Sequence, residues 1–483
     1  MSAKSIRKNY IYNLTYQILT LITPFITTPY VSRVLGPAQI GVQSFAWTVS
    51  IYFGMFASMG IDTFGYREIS YMQDDREGRT RVFWELKLLS LITSLAWLSV
   101  YITLVNIYVR NYHLLYYVLS FNIVGGFFSP GFLFTGMEEF GTMVARNVII
   151  KIFDIAFIFL FIKEPSDLTL YVFGMLFFSF LGGVSLYPEL KKYIGWPDWK
   201  KLNPFRDIKV IWSLFLPSIA IQIYTMLDKL MLGFFTESYA ENGYYELALR
   251  IARMTLAVVS SLGAVVAPRI GYLFKKDDRE LLRKYMFRSF RYIWLISIPM
   301  CLGLIAISDN FVSWFFGYDY LKVAGLLKIS SFLLIFIGLD GVTGSQYLIM
   351  AGQQNIYTKT VTLGAAVNFV LNIFFIKFFQ SYGALIASVA AEAVVAFSQM
   401  YFLRKEFSFV KIFSCGKNYF IAGLVMFLAL ISFGKNLMPS PVNTFILIFS
   451  GAGIYFIMLI ILRDEFLISN YKKISEMLKK FHL

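Results

Sequence analysis

The 483-residue chain has little of what enzymes use for chemistry: two cysteines, two histidines and only 15% charged residues. Cys301 and Cys415 lie far apart and outside any C-x-x-C motif, so we expect free thiols in an apolar setting. His113 and His482 are too few and too scattered for a metal site. The motifs G-x-x-x-x-G-K-[ST], H-E-x-x-H and G-x-S-x-G are also missing. These absences exclude ATP hydrolysis through a P-loop and predict a protein without metal or cofactor that is not an enzyme.

Apolar residues are abundant instead. They make up 58% of the chain, and the mean hydropathy is +0.63. Runs of about twenty apolar residues recur, and each is long enough to cross roughly 30 Å of hydrocarbon as a helix. Because backbone polar groups cannot stay unpaired in lipid, these runs must be helical. The sequence predicts an all-α integral membrane protein with 14 transmembrane helices, near 12–32, 40–59, 86–107, 114–135, 148–162, 168–187, 211–235, 245–268, 292–307, 323–350, 361–379, 384–402, 420–434 and 444–462.

The net charge of +15 is carried mostly by short loops. Loops after even-numbered spans are basic, which by the positive-inside rule predicts that both termini are cytoplasmic. This explanation needs no nucleic acid as a partner. A linker at 188–209 with Trp196 and Trp199, and a basic amphipathic helix at 276–291, are expected at the cytoplasmic leaflet. Either they only orient the chain or they recognise anionic membrane lipids.

Two stretches about two hundred residues apart resemble each other. Arg33-Val-Leu-Gly36 followed by Gly41 is matched by Lys229-Leu-Met-Leu-Gly233 followed by Gly243. Each would close the first helical hairpin of a lobe, and the two halves would begin on the same side of the membrane. We therefore predict an N-lobe at 1–203 with helices 1–6, a C-lobe at 204–403 with helices 7–12, and a C-terminal helix pair with a basic tail at 404–483.

Ionisable residues inside apolar spans are the strongest functional signal. Each costs at least about 2.5–3.5 kcal/mol at the bilayer centre, so it should face protein or water. Glu246, Arg250 and Arg253 follow the spacing i, i+4, i+7 and share one helix face. Asp228 and Lys229 on the preceding span should lie near them. Either these five charges form a neutralising network that holds the hairpin, or the surplus positive charge faces a cavity and binds an anion.

Further acids in the spans or at their ends are candidates for ion coupling or for structural networks. Asp154 follows Lys151 at i, i+3, a spacing that is typical of an intrahelical pair. Asp340 and Glu392 are single acids in apolar surroundings and could bind a proton or sodium, or pair with Lys328. With the acids already named, the set is Asp62, Asp154, Asp228, Glu246, Asp340 and Glu392.

Two motifs resemble a known family. They are Asn9-Tyr-Ile-Tyr-Asn-Leu through Pro29-Tyr-Val-Ser-Arg-Val-Leu-Gly-Pro-Ala-Gln-Ile-Gly41, and Asp228-Lys-Leu-Met-Leu-Gly233 with Gly243-Tyr-Tyr-Glu-Leu-Ala-Leu-Arg250. Both resemble the polysaccharide-biosynthesis flippases of the multidrug/oligosaccharidyl-lipid/polysaccharide exporter superfamily. The resemblance implies two pseudo-symmetric six-helix lobes plus a terminal helix pair in the bacterial cytoplasmic membrane. It implies a central cationic cavity, which corresponds here to Arg33, Lys229, Arg250 and Arg253.

The resemblance also implies a substrate, an undecaprenyl-pyrophosphate-linked oligosaccharide repeat unit, that is moved to the outer leaflet for cell-surface polysaccharide such as O-antigen or capsule. Polymerase and chain-length machinery would then be partners. Two other functions stay open. A cation-coupled multidrug exporter of the same superfamily would use acids such as Asp340 and Glu392. A membrane-embedded polysaccharide polymerase or ligase would form new glycosidic bonds.

Overall fold

The protein is helical throughout the residues that the computed structural model describes, 6–261 and 263–468. Nine helical segments of these residues are long and apolar enough to cross a membrane, which confirms a multi-pass, all-α membrane protein. The basic tail after residue 468, including His482, lies outside the described residues. In order, the first helices are α1 (Ile6–Ser58), α2 (Ile61–Tyr71), α3 (Arg76–Tyr108), α4 (His113–Phe128), α5 (Gly131–Gly136), α6 (Phe140–Phe161), α7 (Leu168–Val184), α8 (Tyr187–Leu190) and α9 (Ile208–Phe235).

The remaining helices are connected by short turns, several of them capped by side chains. Asp278 accepts a hydrogen bond from the Leu281 amide at 3.1 Å, and Ser440 accepts one from the Asn443 amide at 3.1 Å. The helices are α10 (Tyr239–Ser260), α11 (Gly263–Lys275), α12 (Arg279–Phe315), α13 (Leu321–Ser330), α14 (Leu333–Asp340), a π-helix (Gly341–Leu348), α15 (Gln354–Phe402), α16 (Phe409–Ser414), α17 (Lys417–Gly434) and α18 (Pro441–Ile461).

Two helices are interrupted by bends. α1 contains 53 residues, so it would be about 80 Å long if straight, more than twice the hydrocarbon thickness. It bends at Gly36, whose φ of 76° and ψ of 165° are essentially restricted to glycine. α15 bends at Gln380, and a Cβ on Gly383 would lie 2.1 Å from the Phe375 carbonyl oxygen. Residues eight apart are separated by about 12 Å in a straight helix, so the two halves of α15 fold back at this point.

The predicted spans lie along the described helices, but several are divided: 114–135 covers α4 and α5, 245–268 covers α10 and α11, and 323–350 covers α13, α14 and the π-helix. Conversely, α1 and α15 each contain two predicted spans. A further predicted element also differs. The basic segment 276–291 was expected as a separate amphipathic helix, whereas from Arg279 onward it is the beginning of the 37-residue helix α12. Pro299 lies inside α12, and a proline can interrupt a helix. Sequence pattern alone therefore did not predict one continuous helix. The count of 14 membrane crossings and the position of the termini stay predictions.

The chain forms two compact units. The first contains the residues up to Gly233 together with Ser238–Gly243, and the second contains Phe234–Glu237 and the residues from Tyr244 onward. The predicted lobe boundaries at 203 and 403 concern an internal duplication and stay predictions.

Each unit has its own helix packing. In the first, α1 packs against α3, α4 and α6, while α2 packs against α3 and α5 around a core that includes Phe83, Leu89 and Leu133. In the second, α12 packs against α13, α14, α17 and α18, and its core includes Met286, Phe290 and Tyr455. Buried apolar and aromatic side chains at helical spacing hold both units together.

Candidate functional site

The bend of α1 is in backbone contact with residues 239–243 of the first unit. A Cβ on Gly41 would lie 1.6 Å from the Tyr239 carbonyl oxygen, and one on Gly243 would lie 2.2 Å from the Pro37 carbonyl oxygen. Only glycine permits so close an approach of two backbones. The contact continues through Phe45, whose ring centroid lies 6.0 Å from that of Tyr239. The glycines of the two similar stretches therefore meet in the first unit.

Next to this contact, α9 places two charged residues in the interior. Asp228 and Lys229 are both buried, and Asp228 lies close enough to Tyr52 on α1 for their charges to interact. Arg33, three residues before the bend, is exposed. Asn242 is fully buried, and neither polar atom of its amide has a hydrogen-bond partner among the described residues. Sequence reasoning missed Asn242, since an asparagine beside a glycine in a short connection carries no signal of burial.

In the second unit, α10 carries the predicted row of charges on one face. Arg250 donates to Glu246 at 3.1 Å, so this ion pair neutralises itself. Arg253 is exposed, and no acid of the described chain pairs with its guanidinium. The row therefore carries one uncompensated positive charge. Arg250 thus belongs to an intrahelical ion pair, whereas the roles of the five charges as a hairpin network or as an anion site stay predictions.

A second polar cluster surrounds Asp340, where α14 passes into the π-helix. The Gln399 amide donates to Asp340 at 2.6 Å and accepts from the Thr343 hydroxyl at 2.6 Å. Gln399 and Thr343 are fully buried or nearly so. Tyr357 on α15 lies close enough to both Asp340 and Glu392 for their charges to interact. The structure thus brings the two predicted acids into one neighbourhood and adds Gln399 and Thr343, which sequence reasoning missed. π-Helices often occur at functional sites.

The remaining predicted acids lie elsewhere in the first unit. Asp62 is in the first turn of α2, where the helix dipole favours a carboxylate, and it interacts electrostatically with Lys87. The buried Lys87 ammonium donates to the carbonyl oxygens of Phe127 at 2.5 Å and Ser129 at 2.7 Å. Lys87 thereby caps the C-terminus of α4. On α6, Lys151 and Asp154 form the predicted pair at 2.6 Å.

Replacing Lys87 with methionine should destabilise the first unit. The variant keeps the length of the side chain but removes the donor to two carbonyl oxygens, so we expect about 1–3 kcal/mol less free energy of unfolding. Thermal unfolding of the detergent-solubilised protein, followed by tryptophan fluorescence, would measure this loss. Lys405→Met is the matched control because Lys405 is exposed. An unfolding temperature equal to that of the control would contradict the capping role.

The predicted cations are divided between the two units. Arg33 and Lys229 belong to the first unit, whereas Arg250 and Arg253 belong to the second. That all four line one cavity stays a prediction. The residues that the structure does bring together are the pair Glu246–Arg250 beside Arg253, the Asp340–Gln399–Thr343 cluster, and the pair Lys151–Asp154.

The helical fold is similar to those of solved membrane transporters. It is similar to a solved structure titled "Lipid II flippase MurJ, inward closed conformation", with a TM-score of 0.72 and 15% identity over 94% of this chain and 99% of that one. It is also similar to an inward-facing multidrug resistance MATE family transporter of the MOP superfamily, with a TM-score of 0.62 and 16% identity over 83% of this chain and 96% of that one. At these identities the likeness concerns the fold alone.

Sequence comparison identifies the family. The family described as "Polysaccharide biosynthesis protein" matches residues 6–274, more than half of the chain, and this protein belongs to it. The "Putative O-antigen transporter" of Escherichia coli K12 is 23% identical over 83% of this chain and 97% of its own length. The "Probable low-salt glycan biosynthesis flippase Agl15" of Haloferax volcanii is 23% identical over 49% of this chain and 50% of its own. The family that the two motifs resemble is thereby confirmed.

Proposed function

We propose that the protein is a flippase that moves undecaprenyl-pyrophosphate-linked oligosaccharide repeat units from the cytoplasmic to the outer leaflet of the bacterial cytoplasmic membrane. Membership of the polysaccharide biosynthesis family supports this proposal, as do relatives named as an O-antigen transporter and a glycan flippase. The observation that carries it is the uncompensated Arg253 beside the Glu246–Arg250 pair on α10, within a predicted span. An exposed cation in such a span is placed to bind an anion, and this substrate supplies a pyrophosphate.

The chemistry of the substrate fits such a site. Arginine suits pyrophosphate oxygens because its planar guanidinium can donate two parallel hydrogen bonds. Arg33 and Lys229 would be further contacts for the same group. The sugars would need a wet cavity because each hydroxyl is costly to strip of water, whereas the polyprenyl tail can stay in the bilayer.

Alternating access between two six-helix lobes would carry the substrate across, with 14 crossings and both termini in the cytoplasm. A membrane potential that is negative inside favours outward movement of two negative charges by about 4.6 kcal/mol per 100 mV. Transport therefore needs no ATPase. Polymerase and chain-length machinery would be the partners that consume the product.

The direct test is reconstitution of the full chain into liposomes with fluorescent undecaprenyl-pyrophosphate-linked oligosaccharide. Label that starts in one leaflet should become accessible to a membrane-impermeant quencher faster than in protein-free vesicles, and faster still when the potential favours anion movement. Vesicles with the protein that expose the label no faster than empty vesicles would refute the proposal. Formation of new glycosidic bonds by the purified protein would instead establish a polymerase or ligase.

A cation-coupled multidrug exporter is the second candidate, and the Asp340 cluster favours it. A carboxylate held by a buried amide beside a π-helix is suited to bind and release a proton or sodium ion. The likeness to a MATE transporter gives the fold such an exporter would need. Ethidium efflux measured beside oligosaccharide flipping, in the same vesicles, would separate the two functions.

Replacing Asp340 with asparagine tests whether this cluster couples transport to an ion. The asparagine oxygen can still accept from Gln399, so the fold should be kept while the exchangeable charge is lost. We expect the acceleration of transport by a proton or sodium gradient to fall several-fold, with the rate in the absence of a gradient little changed. Asp309→Asn is the control, because Asp309 is an exposed acid paired with Lys328. A full gradient response in Asp340→Asn would assign the coupling elsewhere.

A further inference from the structure

A pocket of about 360 Å³ with both polar and apolar lining lies within the first unit. It is bounded by α1, α6, α7 and the turn between α4 and α5. Its size is within the range of small-molecule sites in proteins. One wall is α6, which presents Asn147, Lys151 and Asp154 at the spacing i, i+4, i+7 and therefore on one face.

Asp154 in this wall is incompletely hydrogen-bonded. The side chain is buried, and Oδ2 accepts from the Lys151 ammonium at 2.6 Å. Oδ1 is also buried and has no hydrogen-bond partner in the described chain. A buried carboxylate oxygen without a donor is destabilising because its desolvation is not offset. The pocket wall therefore contains a carboxylate with one acceptor oxygen that no described donor satisfies.

The charges on this wall of the pocket limit which ligands can bind there. Lys151 already neutralises Asp154, so the pair carries no net charge. A metal or sodium ion would have to approach the Lys151 ammonium, and an anion would meet the Asp154 carboxylate. A neutral O–H or N–H donor meets neither repulsion. The free acceptor thus fits a hydroxyl or amide group and does not fit an ion.

The other walls provide polar and apolar surfaces side by side. The Asn147 amide and the Ser179 hydroxyl have no partner among the described residues, so both can donate and accept. Phe178 and Met175 add apolar surface. A Cβ on Gly182 would lie 3.6 Å from the Asn147 Oδ1 atom, so the glycine leaves this oxygen accessible. A ring with hydroxyls on its edge and C–H groups on its face matches this combination.

We propose that this pocket binds one neutral sugar ring, with Asp154 Oδ1 and the Asn147 amide as hydrogen-bond partners for its hydroxyl or N-acetyl groups. The inference rests on the proposed function in that the sugar would belong to the transported oligosaccharide. It adds a site of sugar recognition in the first unit, built from residues other than the proposed pyrophosphate contacts. Specificity for the glycan would then reside in α6 and α7.

The test is binding of soluble sugars to the purified full chain in detergent. The probes are the methyl glycosides of glucose, galactose, rhamnose, N-acetylglucosamine and N-acetylgalactosamine, measured by saturation-transfer difference NMR. We expect at least one glycoside to bind to the native protein. Asp154→Ala should weaken its binding at least tenfold, because the acceptor is lost. Gly182→Leu should do the same by filling the space beside Asn147, and it leaves the Lys151–Asp154 pair intact.

Asp309→Asn is the matched control, since it removes the acid of another lysine–aspartate pair at 2.7 Å that is exposed. Should Asp154→Ala fail to fold, Gly182→Leu decides the question alone. The proposal is wrong if no glycoside binds to the native protein or if Gly182→Leu binds as well as the control. It is equally wrong if radioactive sodium binds and Asp154→Ala abolishes that binding.

Flipping assays, measured beside glycoside binding, distinguish a failure of the sugar site from a failure of the flippase proposal. A native protein that binds a glycoside but flips no lipid-linked oligosaccharide would refute the flippase and leave the sugar site standing. A protein that flips the lipid-linked oligosaccharide while Gly182→Leu changes neither flipping nor glycoside binding would refute the sugar site and leave the flippase standing.

Discussion

Replacing Gly41 with alanine is expected to abolish the folded protein or nearly so. The added Cβ would lie 1.6 Å from the Tyr239 carbonyl oxygen and 3.0 Å from the Gly243 amide nitrogen, far inside van der Waals contact. Both obstacles are backbone atoms, so no side-chain rotation can relieve the clash. Overpacking usually costs about 1–3 kcal/mol, and a backbone clash of this kind should cost more. We expect little monodisperse protein by fluorescence-detected size-exclusion chromatography.

A substitution at the second glycine of the contact and a matched control make this prediction more specific. Gly243→Ala should behave alike, because its Cβ would lie 2.2 Å from the Pro37 carbonyl oxygen. Gly125→Ala in α4 is the control, since a Cβ there would meet nothing within 4 Å and alanine favours the helix. Wild-type yield and melting temperature for Gly41→Ala would show that the two backbones do not touch in the membrane.

The sequence singled out the two glycine-containing stretches, but it did not show that their backbones touch. The stretch from Arg33 to Gly41 was predicted to close a helical hairpin between two spans, and the bend of α1 lies within it at Gly36. The similarity of the stretches around Gly41 and Gly243 suggested a pairing. That their backbones touch depends on how residues 37–41 of α1 pack against residues 239–243, which no local pattern encodes.

Candidate site residues show the same division between local and distant contacts. The i, i+4 pair Glu246–Arg250 and the i, i+3 pair Lys151–Asp154 follow from helical spacing, and the structure contains both. The hydrogen bond between Asp340 and Gln399 joins residues 59 positions apart and could not be read from periodicity. Neither could the capping of α4 by Lys87, which depends on how α3 packs against α4.

Arg253→Ala should slow flipping of lipid-linked oligosaccharide about 10- to 100-fold. A hydrogen bond to a charged group contributes about 1.5–3 kcal/mol, and the pyrophosphate would lose one or two such bonds. Arg253→Lys should recover only part of the rate, because an ammonium lacks the planar fork of a guanidinium. The measurement is quenching of labelled substrate in proteoliposomes at a fixed potential. Arg404→Ala is the control, since Arg404 is exposed and its guanidinium carbon lies 3.8 Å from the Tyr401 ring centroid.

Arg250 offers a way to separate the structural from the substrate-binding interpretation of the charged row. Arg250→Ala alone removes the ion-pair partner that lies 3.1 Å from Glu246 and leaves the negative charge of Glu246 near the proposed pyrophosphate, so it should slow flipping by repulsion. If Arg250 serves only to neutralise Glu246, the double variant Arg250→Ala with Glu246→Gln should flip at nearly the native rate. Arg253→Ala has no such rescue, because Arg253 has no acidic partner in the described chain whose removal restores the balance. A contrary result would be that Arg253→Ala, alone and combined with Glu246→Gln, flips the substrate at the rate of the unmodified protein. The charged row would then be structural throughout, and the pyrophosphate would bind elsewhere.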